Sequence, residues 1–78
     1  MKSGKIILRG IVQGVGFRPF VYALAQRYEM CGTVINHGSE VEIDAGGENF
    51  DEFSREVAKG PKMAVIDSVS VQPLPDWI

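Results

Sequence analysis

The sequence predicts an α+β sandwich, in which a four-stranded antiparallel sheet of order 4-1-3-2 carries two helices on one face. Three observations predict it. Runs with strand and helix patterns follow one another as βαββαβ, the split βαβ arrangement known as ferredoxin-like. From Glu40 to Ala45, apolar and acidic residues alternate without a break, the mark of an antiparallel strand with one face buried and one wet. The 78 residues, 45% hydrophobic and 23% charged, supply one compact core and little more.

Each element has its own signal. Lys5 to Val12 is a short β-rich run (Ile6, Ile7, Leu8, Ile11, Val12) and reads as the first strand. Gln13-Gly14-Val15-Gly16 breaks it with a tight glycine turn. Pro19 then falls where the first turn of a helix tolerates proline. Phe20, Val21, Leu24, Ala25 and Tyr28 recur at helical spacing, so the first helix is expected from about Pro19 to Met30, with Gly32 as its stop. Thr33 to Asn36 reads as the second strand, His37-Gly38-Ser39 as a hairpin turn, and Glu40 to Ala45 as the third strand, closed by Gly46-Gly47. Asn49 followed by Glu52 resembles a capping box at the start of the second helix, whose apolar stripe is Phe50, Phe53 and Val57. Lys59-Gly60-Pro61 ends that helix. Val65 to Val71 is the fourth strand, with Pro73 and Pro75 opposing its continuation.

Composition narrows the function. A net charge of −2 argues against sequence-independent nucleic-acid binding, which needs a basic patch, and no RNA-recognition motif replaces it. A small anion remains compatible, because a site a few ångströms wide answers to local donors. The single cysteine, Cys31, makes neither an intrachain disulfide nor a metal-binding pair, which fits a reducing cytoplasmic setting. No apolar run approaches the ~18–20 residues of a membrane span, and Met1-Lys2-Ser3-Gly4 opens without the apolar segment of a leader.

In this topology the first two strands run in the same direction with the third between them. The loop after strand one and the end of strand two therefore open on one sheet edge, on the order of 10 Å apart. The loop Gln13-Gly14-Val15-Gly16-Phe17-Arg18 runs into the first helix, so successive backbone N–H groups and a helix N-terminus form an anion cradle. Arg18 at its mouth offers a planar fork to two phosphate oxygens. Asn36, at the far end of strand two, is placed to hydrogen-bond a water; an amide is no base, so its role is orientation. Spacing alone leaves a plain β-to-α turn as an equal reading, since the loop lacks both the dinucleotide fingerprint and the Walker A spacing.

A resemblance decides between them. Arg9-Gly10-Ile11-Val12-Gln13-Gly14-Val15-Gly16-Phe17-Arg18 resembles the acylphosphatase signature without a gap, and Val34-Ile35-Asn36 with Val41-Glu42 is similar to that family's second motif. The resemblance covers nearly the whole chain. It implies metal-free, cofactor-free hydrolysis of carboxyl-phosphate bonds, with the phosphate-binding arginine at Arg18 and the water-positioning asparagine at Asn36. Arg18-Pro19-Phe20-Val21 and Ile66-Asp67-Ser68-Val69 are similar to one branch, the N-terminal domain of HypF-type carbamoyltransferases of NiFe hydrogenase maturation. That branch implies carbamoyl phosphate as the acyl phosphate, or alternatively a non-catalytic carbamoyl-phosphate-binding module. The family usually ends in a further short strand, and Trp77-Ile78 is where it would begin. Residues 1–78 are therefore expected to be a single domain, excised or minimal. A monomer is expected, with further domains of a maturation protein as its only macromolecular partners.

Several residues invite plainer readings. His37 beside Asn36 reads as a solvated turn residue rather than a base. Cys31 reads as a small buried apolar residue, and Phe17 and Phe20 as packing. The row Glu40, Glu42 and Asp44 reads as a solvated face of the sheet, its members ~7 Å apart and in line, rather than a metal site.

Overall fold

The computed structural model describes residues 2–74. Its elements are β1 (Lys2–Ile11), α1 (Phe17–Arg27), β2 (Cys31–His37), β3 (Glu40–Gly47), α2 (Phe50–Lys59) and β4 (Val65–Pro73). They form one antiparallel sheet in the order β2-β3-β1-β4. This is the expected topology. The buried apolar residues of both helices pack on one side of the sheet, and among the described residues no helix is long and apolar enough to cross a membrane.

Alternation along the central strands sets the two faces. Ile6 and Leu8 of β1 and Val41, Ile43 and Ala45 of β3 are buried against Phe17, Val21 and Leu24 of α1 and Phe50, Phe53 and Val57 of α2. Each of these side chains larger than alanine contributes about 1.5–3 kcal/mol on burial, so this double row specifies the register. The opposite face is polar. There the register sets Lys5 across from Asp44 and Arg9 across from Glu40. Lys5 Nζ lies 3.1 Å from Glu42 and 3.7 Å from Asp44, and Arg9 Nε lies 3.3 Å from Glu40. The acidic row is thus neutralised by its neighbours on β1.

Several boundaries differ from the sequence expectations, each for a visible reason. Helix α1 starts at Phe17, so Pro19 is its third residue, still within the turn whose N–H groups have no intrahelical partner. It ends at Arg27 rather than Met30, because Glu29 takes a positive φ of 56°. The Met30 N–H donates to the Ala25 carbonyl at 2.8 Å and the Glu29 N–H to Gln26 at 3.3 Å, the paired bonds of a Schellman motif. A non-glycine residue fills the position where glycine is usual, which hid the stop; Gly32 already lies in β2. Asn49 does precede α2, but its side chain makes no cap hydrogen bond. Its Nδ2 donates instead to the Tyr28 carbonyl at 3.1 Å, tying the start of α2 to the end of α1.

Gly46 and Gly47 continue β3 rather than ending it, paired with Ser3 and Lys2. Strand β4 runs on through Pro73, opposite Gly4. An edge strand tolerates a missing N–H, and Leu74 is held beyond it by bonds to Ser3. Pro75 and the strand start expected at Trp77-Ile78 lie outside the described residues. Cys31, expected to be buried, is exposed at the start of β2. It lines a groove of about 550 Å³ between α1 and the β2 edge.

Candidate functional site

The site begins with a bend in β1. Between Arg9 and Gly10 the β1–β4 register shifts, leaving Asp67 as an extra residue opposite the step. Gly10 takes a φ of 143°, and a Cβ there would collide with the Val65 carbonyl oxygen. The bend carries the chain off the sheet to Val12, whose side chain is fully buried and anchors the root of the loop.

Beyond Val12 the chain reverses hand twice. Gly14 and Gly16 have φ values of 74° and 76°, with Val15 between them at negative φ. Such alternation turns successive N–H groups toward one side, the geometry of an anion nest. Val15 packs its side chain on the core while Gly14 and Gly16 remain exposed, so the loop is pegged from below and open above. Gly16 is the N-cap of α1 and has no side chain to cap it, and no acidic residue follows in the first turn. Among the described residues, none of the N–H groups of Gly14 through Arg18 donates to another residue. The positive end of the helix is therefore unbalanced. Phe17 fixes that end by burying its ring, 98% shielded, edge-on to Phe20 at 5.7 Å.

A pocket of about 340 Å³ opens over this loop, lined by Gln13, Gly14, Gly16, Phe17, Arg18, Pro19 and Asn36. The sequence-predicted residues thus converge, apart from Val15, whose side chain serves the core. Arg18 is exposed and makes no ion pair or hydrogen bond among the described residues, whereas Arg9 is committed to Glu40. An unpaired guanidinium at a helix N-terminus is electrostatically unfavourable until an anion arrives.

Asn36 reaches the pocket from the helix-facing side of β2, between the exposed Ile35 and His37. Its Nδ2 donates to the Val12 carbonyl at 3.3 Å, which closes the strand-to-strand gap directly. Its Oδ1 is buried without any hydrogen-bond partner. The Val12 carbonyl accounts for the orientation, since a flipped amide would bring two oxygens together. An orphan acceptor of this kind costs about 1–3 kcal/mol. His37 pairs across from Glu40, on the polar face of the sheet and outside the pocket lining. Sequence reasoning missed two participants. Pro19 lines the pocket, and the Val12 carbonyl anchors Asn36; a main-chain acceptor has no signature in sequence. Among the described residues, no group of three or more His, Cys, Asp or Glu side chains could hold a metal ion.

Three comparisons bear on this arrangement. The acylphosphatase family model matches residues 4–77. An acylphosphatase of Thermotoga petrophila is 47% identical over 75 residues, covering 92% of this chain and 83% of the relative. Carbamoyltransferase HypF of Rhizobium leguminosarum bv. viciae is 41% identical over 71 residues, covering 90% of this chain; the match spans only 9% of that protein's length. The crystal structure of the acylphosphatase from Bacillus subtilis superposes with a TM-score of 0.91 at 36% identity, over 99% of this chain and 89% of that one.

Proposed function

The chain belongs to the acylphosphatase family, and we propose that it hydrolyses acyl phosphates with Arg18 and loop 13–18 holding the phosphate and Asn36 orienting the water. One observation carries the reading. Among the described residues, donors without partners (the N–H groups of residues 14–18 and the Arg18 guanidinium) and Asn36, whose Oδ1 is an unpartnered acceptor, come together at a single pocket. Donors suit phosphoryl oxygens. An unpartnered acceptor suits a group that brings protons, which is water, reached as the buried Oδ1 turns toward the pocket that Asn36 lines.

The chemistry follows from these assignments. The loop N–H groups and Arg18 bind the phosphoryl oxygens and stabilise charge as it spreads over them. Water donates one hydrogen to Asn36 Oδ1, which aims a lone pair at phosphorus. The new P–O bond forms as the bond to the acyl oxygen breaks, and that electron pair leaves with the carboxylate. No side chain in the lining is a base of suitable strength, so a phosphate oxygen takes the proton. Positioning and electrostatics are the greater part of what phosphoryl transfer needs.

The 41% identity to HypF supports a narrower form of the proposal. In it the 78 residues act as one domain on carbamoyl phosphate, within a larger protein of NiFe hydrogenase maturation, and the domain binds without turnover in the non-catalytic variant. Turnover of benzoyl phosphate and carbamoyl phosphate by the purified chain tests both forms. Hydrolysis of either substrate supports the enzyme. Saturable carbamoyl-phosphate binding with no hydrolysis supports the module, and neither binding nor hydrolysis refutes both.

A further inference from the structure

We infer that the Gln13 carboxamide is a second side chain on the attacking water, donating its Nε2–H to the water oxygen opposite Asn36. The inference rests on the proposed hydrolysis and extends the role of Gln13 beyond its main-chain place in the phosphate loop.

Asn36 offers the water one acceptor. Its Nδ2 spends one of its two hydrogens on the Val12 carbonyl, and its Oδ1 has no partner, so Oδ1 is the acceptor left for the water. A water that gives one hydrogen to Oδ1 and the other to a phosphate oxygen still rocks about the line joining them and points its lone pair at phosphorus for only part of the time. Of the other residues around the pocket, only Gln13 and Arg18 carry polar side chains. Arg18 is the cation that the phosphoryl oxygens claim. Gln13 is exposed and its amide makes no hydrogen bond among the described residues. It also stands in the right place. Gln13 follows Val12 directly, so its Cα lies roughly 3 Å from the carbonyl oxygen that anchors Asn36. The Nδ2 of Asn36 is 3.3 Å beyond that oxygen. The two amides are rooted at the same end of the pocket, within the reach of a glutamine side chain.

The four tetrahedral positions of the water are then all used. One hydrogen goes to Asn36 Oδ1 and the other to a phosphate oxygen. One lone pair accepts from Gln13 Nε2, and the last faces phosphorus. Bond making and breaking are as above: P–O(water) forms, P–O(acyl) breaks, and both protons end on phosphate. Gln13 contributes orientation and transfers no proton.

The test compares Gln13→Leu and Gln13→Glu with the parent, using benzoyl phosphate turnover and inhibition by inorganic phosphate. Gln13→Leu should lose about tenfold in kcat through lost orientation of the water with the phosphate inhibition constant within twofold of the parent. Gln13→Glu has no donor when ionised. Its kcat relative to the parent should rise as pH falls through the carboxyl range, about 4.3, where the protonated acid can donate again. A Gln13→Leu kcat within twofold of the parent overturns the inference. So does a phosphate affinity that falls as far as kcat, which would assign the side chain to the anion. A Gln13→Glu ratio that stays flat with pH also overturns it. A parent that hydrolyses no acyl phosphate removes the underlying reading instead, an outcome these variants do not mimic.

Discussion

Replacing Asn36 with alanine separates a catalytic role from a structural one, because the two predict opposite effects on stability. The substitution removes the bond from Nδ2 to the Val12 carbonyl, worth about 1 kcal/mol net. It also removes the orphan Oδ1, whose burial costs about 1–3 kcal/mol. The space vacated by the amide joins the pocket that Asn36 lines, so a water takes its place on the Val12 carbonyl. The sum leaves the variant between equal to the parent and about 2 kcal/mol more stable. Activity should move the other way. With the water no longer oriented, kcat should fall about 100-fold, or ~2.7 kcal/mol of barrier, while inorganic phosphate still competes within about threefold of its parent affinity. Urea unfolding monitored by far-UV circular dichroism supplies the first quantity and benzoyl phosphate kinetics the others. A variant more than ~1 kcal/mol less stable, with phosphate affinity lost in step with kcat, would refute the reasoning. Asn36 would then be a strut for the loop.

Three further outcomes are expected. Arg18→Lys should lose at least ~3 kcal/mol in kcat/KM, because a point charge does not reproduce the bidentate fork; activity within twofold of the parent would remove Arg18 from the site. Glu29→Gly relieves a left-handed residue at the end of α1. Relief of ~1–2 kcal/mol, less the entropy glycine adds to the unfolded chain, ~0.5–1 kcal/mol, leaves a net gain of up to ~1.5 kcal/mol and should raise Tm by up to about 12 °C; calorimetry showing a lower Tm would contradict it. The Lys5 ammonium is held above its ordinary value of 10.5, first by its hydrogen bond to Glu42 and then by the charge of Asp44. A raised folded-state value stabilises fully below 10.5 and fades as pH climbs through it. The Tm advantage of the parent over Lys5→Met should therefore be level from pH 8 to 10 and shrink above that, and an advantage that grows there would reverse the assignment.

Local chemistry carried much of this molecule into its sequence. The 2-residue period of Val41, Ile43 and Ala45, the helical spacing of Phe50, Phe53 and Val57, and the glycines of loop 13–16 each express a constraint that neighbouring residues impose on one another. Element order and sheet order were therefore legible, as was the convergence of loop 13–18 and Asn36 on one pocket, though not the place of Pro19 in its lining. The ends of elements were less so. Glu29 breaks α1 in a conformation its side chain does not favour, and Pro73 sits within β4 only because that strand is an edge.

What tertiary structure alone decided concerns contacts between residues far apart in the chain. The Asn49 side chain could have capped its own helix, but the Tyr28 carbonyl, 21 residues away, was the partner folding brought within reach. The Val12 carbonyl takes one Nδ2 hydrogen of Asn36 across 24 residues and fixes the amide with Oδ1 buried and unpartnered. A side-chain pattern records which residues want burial or a turn; it holds no record of which main-chain oxygen will stand opposite a given amide. That depends on where the bend at Gly10 delivers the chain, and hence on the packing of the whole sheet.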